Sequence, residues 1–177
     1  HCRFCSAKTI WNKKYTAFSV DRIISELVFL IKNYGIKGVY FREDNFTVYR
    51  KRVIEFCEAL LSRNLKINWF CETRADAIDE ELLRLMYKCG CRGFFLGIES
   101  GSQRILDIIQ KGVKVQDNIN TLQLCRKIGI KTYASMIVGL PGELREDIRA
   151  TEQMLELAKP DIIGKNVFIG IPNSELY

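Results

Sequence analysis

Cys2 and Cys5 stand two residues apart, flanking Arg3 and Phe4 in the opening HCRFCS. Thiolates are strong ligands for iron and zinc, and a Cys-x-x-Cys turn can present two of them to one centre. Three chemistries use such a pair. A redox dithiol needs it at the head of a helix beside a β-α-β unit. A zinc site needs a second pair, and Cys89 with Cys91 is the one candidate, far along the chain and with the wrong spacing. An iron–sulfur cluster needs its remaining thiolate from elsewhere. The pair by itself leaves all three open.

A second group of chemically capable residues follows directly on apolar runs. GVYF (38–41) leads into REDNFT, INWFC (67–71) into ETRAD and GFFLGIE (93–99) into SGS. TYASMIVG (132–139) leads into LPGE, and IIGKNVFIG (162–170) into IPNSELY. Strand-to-helix loops are polar in any protein, and Asn45, Thr47, Ser100, Ser102 and Gly142 are accounted for as caps and turns. Glu43, Asp44, Glu72, Arg74 and Glu99 are different. They are charged and would converge above one sheet, so they are candidate ligand-binding groups. The glycines of GLPGE would let a flat ligand approach the backbone, although such a sequence is also an ordinary turn.

What must position these residues is an alternation of helices and strands. Ser19 reads as an N-cap for a helix with apolar residues at Ile23, Ile24, Leu27 and Ile31, stopped at Gly35. Thr47 is expected to cap a second helix ending near Asn64, and Asp79 a third ending at Gly90. A short helix around QRILDIIQ, another ending at Gly129, and a last one closed by Pro160 complete the set. Five apolar strands without internal alternation, each separated by helix, imply a parallel sheet with helices outside. Right-handed crossovers then allow an open doubly wound sheet or a barrel-like array. The sequence has no linker and no low-complexity run, so residues 1–177 read as one domain.

Composition narrows the classes. No apolar run is long enough to span a membrane, and the opening is not a secretory signal. Seven cysteines, an odd number, argue against a disulfide framework and for a reduced, cytoplasmic protein. The net charge of +6 is scattered over helix faces, with YRKR (49–52) as the single run, so it reads as solvated surface rather than a nucleic-acid interface.

HCRFCS resembles the end of the radical S-adenosylmethionine (SAM) motif, Cys-x3-Cys-x-aromatic-Cys. On that alignment Cys2 and Cys5 are the second and third cluster ligands and Phe4 is the aromatic. The first would fall on the third residue upstream of His1. VYFREDNFT is similar to the second-strand signature of this family, with Glu43 and Asp44 where two aspartates are usual. WFCETRAD is similar to its third-strand end, and GIESGSQRILDIIQKGV to the fourth-strand stretch of members that carry an upstream cobalamin domain. MIVGLPGE resembles the fifth-strand glycine motif. IPNSELY is a divergent form of the Pro-Gly-Thr-Pro-Leu-Tyr ending and lacks its glycine.

The resemblance implies a partial (β/α)6 TIM-like barrel of parallel strands whose first strand precedes His1. It implies a [4Fe–4S] cluster that reductively cleaves SAM to a 5′-deoxyadenosyl radical, with the barrel positioning the cofactors. Cys2 and Cys5 would ligate iron, and Phe4 would pack beside the cluster. Glu43 and Asp44 would approach the SAM amino group and Arg74 its carboxylate. Glu99 and Ser100 would meet the ribose hydroxyls, while Val138 and Gly139 would line the adenine. Cys57, Cys89 and Cys125 are expected to be packing residues. Cobalamin-dependent methyl transfer or ring formation on a small molecule is the expected outcome, with flavodoxin or ferredoxin as electron donor. A methylthiotransferase and a non-catalytic metal-binding barrel are the alternatives. The chain expressed from His1 is expected to bind iron poorly.

Overall fold

A computed structural model describes residues 2–7 and 15–177. In chain order the elements are α1 (Val20–Tyr34), β1 (Gly38–Phe41), α2 (Arg50–Ser62), β2 (Asn68–Thr73) and a 3-10 turn (Ala75–Ala77). They continue with α3 (Glu80–Lys88), β3 (Cys91–Glu99), α4 (Gln103–Ile108) and α5 (Val115–Ile128). The last three are β4 (Lys131–Val138), α6 (Arg145–Ala158) and β5 (Ile162–Val167). All strand pairings are parallel and the spatial order is β1-β2-β3-β4-β5. Right-handed crossovers between strands in sequential order put their helices on one face. That is the winding of a barrel, not of a doubly wound sheet, whose order reverses. The sheet is open, with β1 and β5 at its edges.

Strand burial alternates although the strand sequences do not. Trp69, Cys71, Phe94, Leu96, Ile98, Ala134 and Met136 are buried in one core with Ile24, Phe56, Leu83, Leu122 and Met154 of the helices. Tyr40, Phe70, Phe95 and Tyr133 stand on the opposite, helix-free face and are half-open. Phe95 and Tyr133 stack there with ring centroids 4.7 Å apart. An aromatic second face explains why the strands read as apolar throughout. At the β1–β2 side, Phe41, Phe46, Phe56 and Trp69 pack edge-to-face or tilted, at 4.9 to 6.0 Å. Such pairs add about 0.5–1.5 kcal/mol each beyond the area they bury.

The helix signals hold at Ser19, whose hydroxyl accepts from Arg22 N (3.3 Å), and at Asp79, whose carboxylate accepts from Leu82 N (2.9 Å). Gly35 and Gly129 end their helices in the left-handed conformation. Thr47 is a correction. Helix α2 begins at Arg50 with Tyr49 at its N-cap and no side-chain cap. Phe46 N donates to Glu72 O (2.9 Å), which pins this loop to the end of β2 and brings the buried Thr47 hydroxyl onto that of Thr73. Strand 38–41, expected to be buried, is a half-exposed edge, because nothing pairs beyond it among the described residues. The last strand stops at Val167, three residues early, where the chain turns toward Arg3. No helix among the described residues is long and apolar enough to cross a membrane.

Candidate functional site at the carboxyl ends of the strands

Residues 2–5 form a tight turn held from three sides. Cys5 N donates to Cys2 O (3.2 Å), which closes the turn and leaves both thiols half-buried and free. Arg3 N donates to Ile109 O (2.9 Å), and the Arg3 guanidinium donates to Ile108 O (3.1 Å), capping the carbonyl end of α4. Arg3 O accepts from Glu175 N (2.9 Å) and Leu176 N (3.2 Å), so the C-terminal PNSELY segment clasps the same turn. Phe4 fills an apolar pocket of Ile105, Leu106, Ile109 and Leu140, beside Ile137 and Phe168. The aromatic between the cysteines therefore anchors the turn that presents them.

Two further contacts concern the sulfurs. Ala7 N points at Cys5 Sγ (3.4 Å), a donor of the kind that stabilises thiolate on a cluster. The Arg74 guanidinium lies 3.9 Å from Cys2 Sγ. Arg74 is itself fixed by Asp76 through two bonds of 2.9 Å and by Lys111 O at 2.8 Å. Those Asp76 bonds hold the guanidinium above its ordinary pKa, so it is a permanent cation beside the thiols.

Glu99 closes β3 in the left-handed conformation, φ +66°, after a register shift between Gly97 and Glu99. A non-glycine residue there costs on the order of 1 kcal/mol. The conformation brings Glu99 Oε1 to 2.7 Å from Lys111 Nζ, in a pair with side chains only 8% and 7% exposed. The pair lies across Gly97, where a Cβ would come within 2.6 Å of the carboxylate and 2.9 Å of the ammonium. Lys111 Nζ also stands 6.0 Å from the Phe4 ring centroid. One chain of contacts thus links Cys2, Arg74, Lys111, Glu99 and Phe4.

The other expected site residues fall in different surroundings. Glu43 is turned to Arg52 (2.6 and 2.9 Å) and Tyr15 (3.2 Å). Asp44 follows it in the same loop. Glu72 accepts from Tyr40 and pairs with Arg42 (both 3.2 Å). Ser100 is buried, its hydroxyl accepting from Ser102 N (3.1 Å) and contacting Thr151 (3.3 Å), so it ties the loop to α6. Val138 ends β4, its carbonyl accepting from Phe168 N (2.8 Å). Gly139 has φ +79° and open space where a side chain would stand. Its N–H donates to Glu143 (2.6 Å), which fixes the glycine loop.

Lys111, Arg3, Asp76 and Glu143 were not anticipated. Lys111 had a faint signal, lying in the KG of the GIESGSQRILDIIQKG stretch; the others had none. Cys71, Cys91 and Cys125 are fully buried, Cys57 likewise, and Cys89 nearly so. Among the described residues no third His, Cys, Asp or Glu joins Cys2 and Cys5 in a metal-binding group.

The model of the Radical SAM superfamily matches residues 1–155. The chain is 33% identical over 177 residues to an uncharacterized methyltransferase of Pyrococcus horikoshii, covering 100% of this chain and 39% of that protein. It is 33% identical over 178 residues to the anaerobic magnesium-protoporphyrin IX monomethyl ester cyclase of Rubrivivax gelatinosus, covering 99% and 32%. The chain thus spans about a third of the length of these relatives. Its fold matches that of the radical SAM methyltransferase TsrM from Kitasatospora setae, solved with cobalamin and a [4Fe–4S] cluster. There the TM-score is 0.85 at 20% identity, covering 94% of this chain and 34% of that one.

Proposed function

Because the chain belongs to the radical SAM superfamily, we propose that it is the catalytic core of an enzyme that cleaves SAM beside a [4Fe–4S] cluster and acts on a small molecule. The observation that carries this reading is the Cys2–Phe4–Cys5 turn, seated at the carboxyl ends of the strands with the Arg74 cation beside it. Two half-exposed thiols, an N–H aimed at one sulfur and a guanidinium near the other fit an anionic thiolate cluster. A third thiolate would come from outside the described residues. When bound, such a cluster supplies the electron that splits SAM into methionine and a 5′-deoxyadenosyl radical.

The chain's own residues bind and orient. Phe4 holds the turn, so both thiols keep one geometry. Arg74, pre-positioned by Asp76 and Lys111 O, offers its charge and its remaining Nη1 hydrogen to the SAM carboxylate. Glu99, steadied by Lys111, accepts from the ribose hydroxyls, while Ser100 holds the loop that carries it. Asp44 would meet the SAM amino group from the β1 side, and Glu43 would join it only by exchanging its Arg52 and Tyr15 contacts. Val138 and Gly139 provide the flat, open end of β4 for adenine. The aromatic helix-free face, with Tyr40, Phe70, Phe95 and Tyr133, gives a substrate an apolar bed.

Cobalamin-dependent methyl transfer or ring closure is the reaction this reading favours, given the methyltransferase and cyclase relatives and the fold shared with TsrM. Cobalamin would be held by a segment other than this one. A net charge of +6 suits an acidic one-electron donor such as flavodoxin or ferredoxin in the cytoplasm. The test is anaerobic reconstitution of the full-length protein with iron and sulfide, then assay of 5′-deoxyadenosine from SAM under dithionite. A protein that takes up cluster and SAM and releases none would be a non-catalytic barrel.

A further inference from the structure

At the opposite end of the sheet from the Cys2–Cys5 turn, two core thiols meet. Cys57 on α2 and Cys89, directly after α3, have their sulfurs 3.0 Å apart, and Cys89 Sγ is 3.2 Å from Met86 O. Cys71, Cys91 and Cys125 are buried in the same core, but it is Cys57 and Cys89 whose sulfurs are in direct contact. The pair is asymmetric. Cys57 is sealed in the core, whereas Cys89 lines a cavity of about 510 Å3 that opens at the amino ends of the strands. Leu60 and Leu65 form apolar walls, Lys37, Lys66, Lys88 and Arg92 contribute cationic side chains, and the lining holds no carboxylate. A cavity of this size admits molecules as small as water, and surrounding cations favour the thiolate of a nearby cysteine.

We propose that Cys57 and Cys89 are a peroxide-oxidisable pair, entered from this basal cavity, that closes reversibly into a cross-link between α2 and the end of α3. The Cys89 thiolate attacks hydrogen peroxide: a sulfur–oxygen bond forms, the oxygen–oxygen bond breaks, and the leaving oxygen takes up a proton and departs as water. Cys57 then attacks the Cys89 sulfenic acid, a sulfur–sulfur bond forms and a second water leaves. Two thiols lose two electrons and two protons, and one hydrogen peroxide becomes two waters. The sulfurs need approach by only about 1 Å to reach disulfide distance. The order of attack follows access, since Cys89 lines the cavity while Cys57 is sealed behind it. This inference does not depend on the SAM-cleaving reading.

The test treats the purified protein with hydrogen peroxide in the presence of an iron chelator, alkylates remaining thiols after unfolding, and maps the digest by mass spectrometry. The expected product is a Cys57–Cys89 linked peptide, lighter by two hydrogens than the two reduced peptides and separated again by dithiothreitol. In Cys57→Ala, Cys89 should instead carry a sulfenic acid trapped by a 1,3-dione. Wild-type protein with both cysteines alkylated while Cys2 and Cys5 are oxidised overturns the proposal. So does Cys89 oxidised beyond the sulfenic state with no cross-link, whatever the folding of the variant.

Discussion

Lys111 Nζ and Glu99 Oε1 are 2.7 Å apart beneath the Cys2–Cys5 turn, and both side chains are more than nine-tenths shielded from solvent. Removing one member of a buried pair leaves the other charge uncompensated, which costs about 3–5 kcal/mol. Lys111→Met should lose stability in that range by urea unfolding, and Lys111→Arg should recover part of it. Gly97→Ala pushes on the same pair and should be destabilising without touching any charge. A loss below ~1 kcal/mol for Lys111→Met, the size of an exposed pair, would show that Glu99 finds water instead.

This pair also marks where sequence reading stopped. Glu99 was legible because a carboxylate directly after an apolar strand stands at the mouth of a parallel sheet. Lys111 was not, since it follows a six-residue helix and reaches the mouth only because the chain reverses at Gln110 (φ +50°) and Gly112 (φ +69°). The strands and most caps were readable because apolar runs and single polar residues act locally. Thr47 failed as a cap because its loop is set by a long-range bond, Phe46 N to Glu72 O. The half-open aromatic face was hidden for a related reason: Phe70 and Phe95 look like core residues until topology puts every crossover helix on the other side. Ser100 was legible as polar, but its use depends on Thr151, fifty-one residues away.

Arg74 tests the carboxylate-binding role. Its fork is held by Asp76 and Lys111 O, so Arg74→Lys keeps the charge but loses the bidentate geometry. Both Arg74→Lys and Arg74→Ala should weaken SAM binding by about tenfold or more, equivalent to roughly 1.4 kcal/mol. Calorimetric titration of the reconstituted protein reads the affinity, and iron content is measured alongside. Unchanged affinity in both variants would leave Arg74 as a companion of Cys2 alone.

Asp147 governs acid stability. It accepts from Ser102 Oγ (2.6 Å) and Leu144 N (2.8 Å) and pairs with Arg104, joining the starts of α4 and α6. The Arg104 bond, aided by Ser102, lowers its pKa from 3.8 to about 2. A carboxylate depressed by folding contributes stability that is complete above the unfolded value and is lost as pH falls through the folded one. The melting-temperature gap between wild type and Asp147→Asn should therefore be full at neutral pH and narrow from 3.8 down to about 2. A gap independent of pH across that window would mean that the charge of Asp147 contributes nothing.

The cysteines separate ligands from packing. Cys2 and Cys5 are half-buried on a turn, with an N–H and a guanidinium aimed at their sulfurs. Burial pushes the Cys125 thiol up to about 12 and raises Cys71 and Cys91 well above their ordinary value, as suits packing residues. In full-length protein that supplies the third thiolate, Cys2→Ala and Cys5→Ala should each abolish the brown charge-transfer absorbance, the bound iron and sulfide, and 5′-deoxyadenosine production. Cys57→Ala and Cys125→Ala should retain all of these and lose only the stability of a core group, since each fills a fully buried site. Iron lost from a folded Cys125→Ala protein would place a ligand in the helical core and undo the assignment of the Cys2–Cys5 turn.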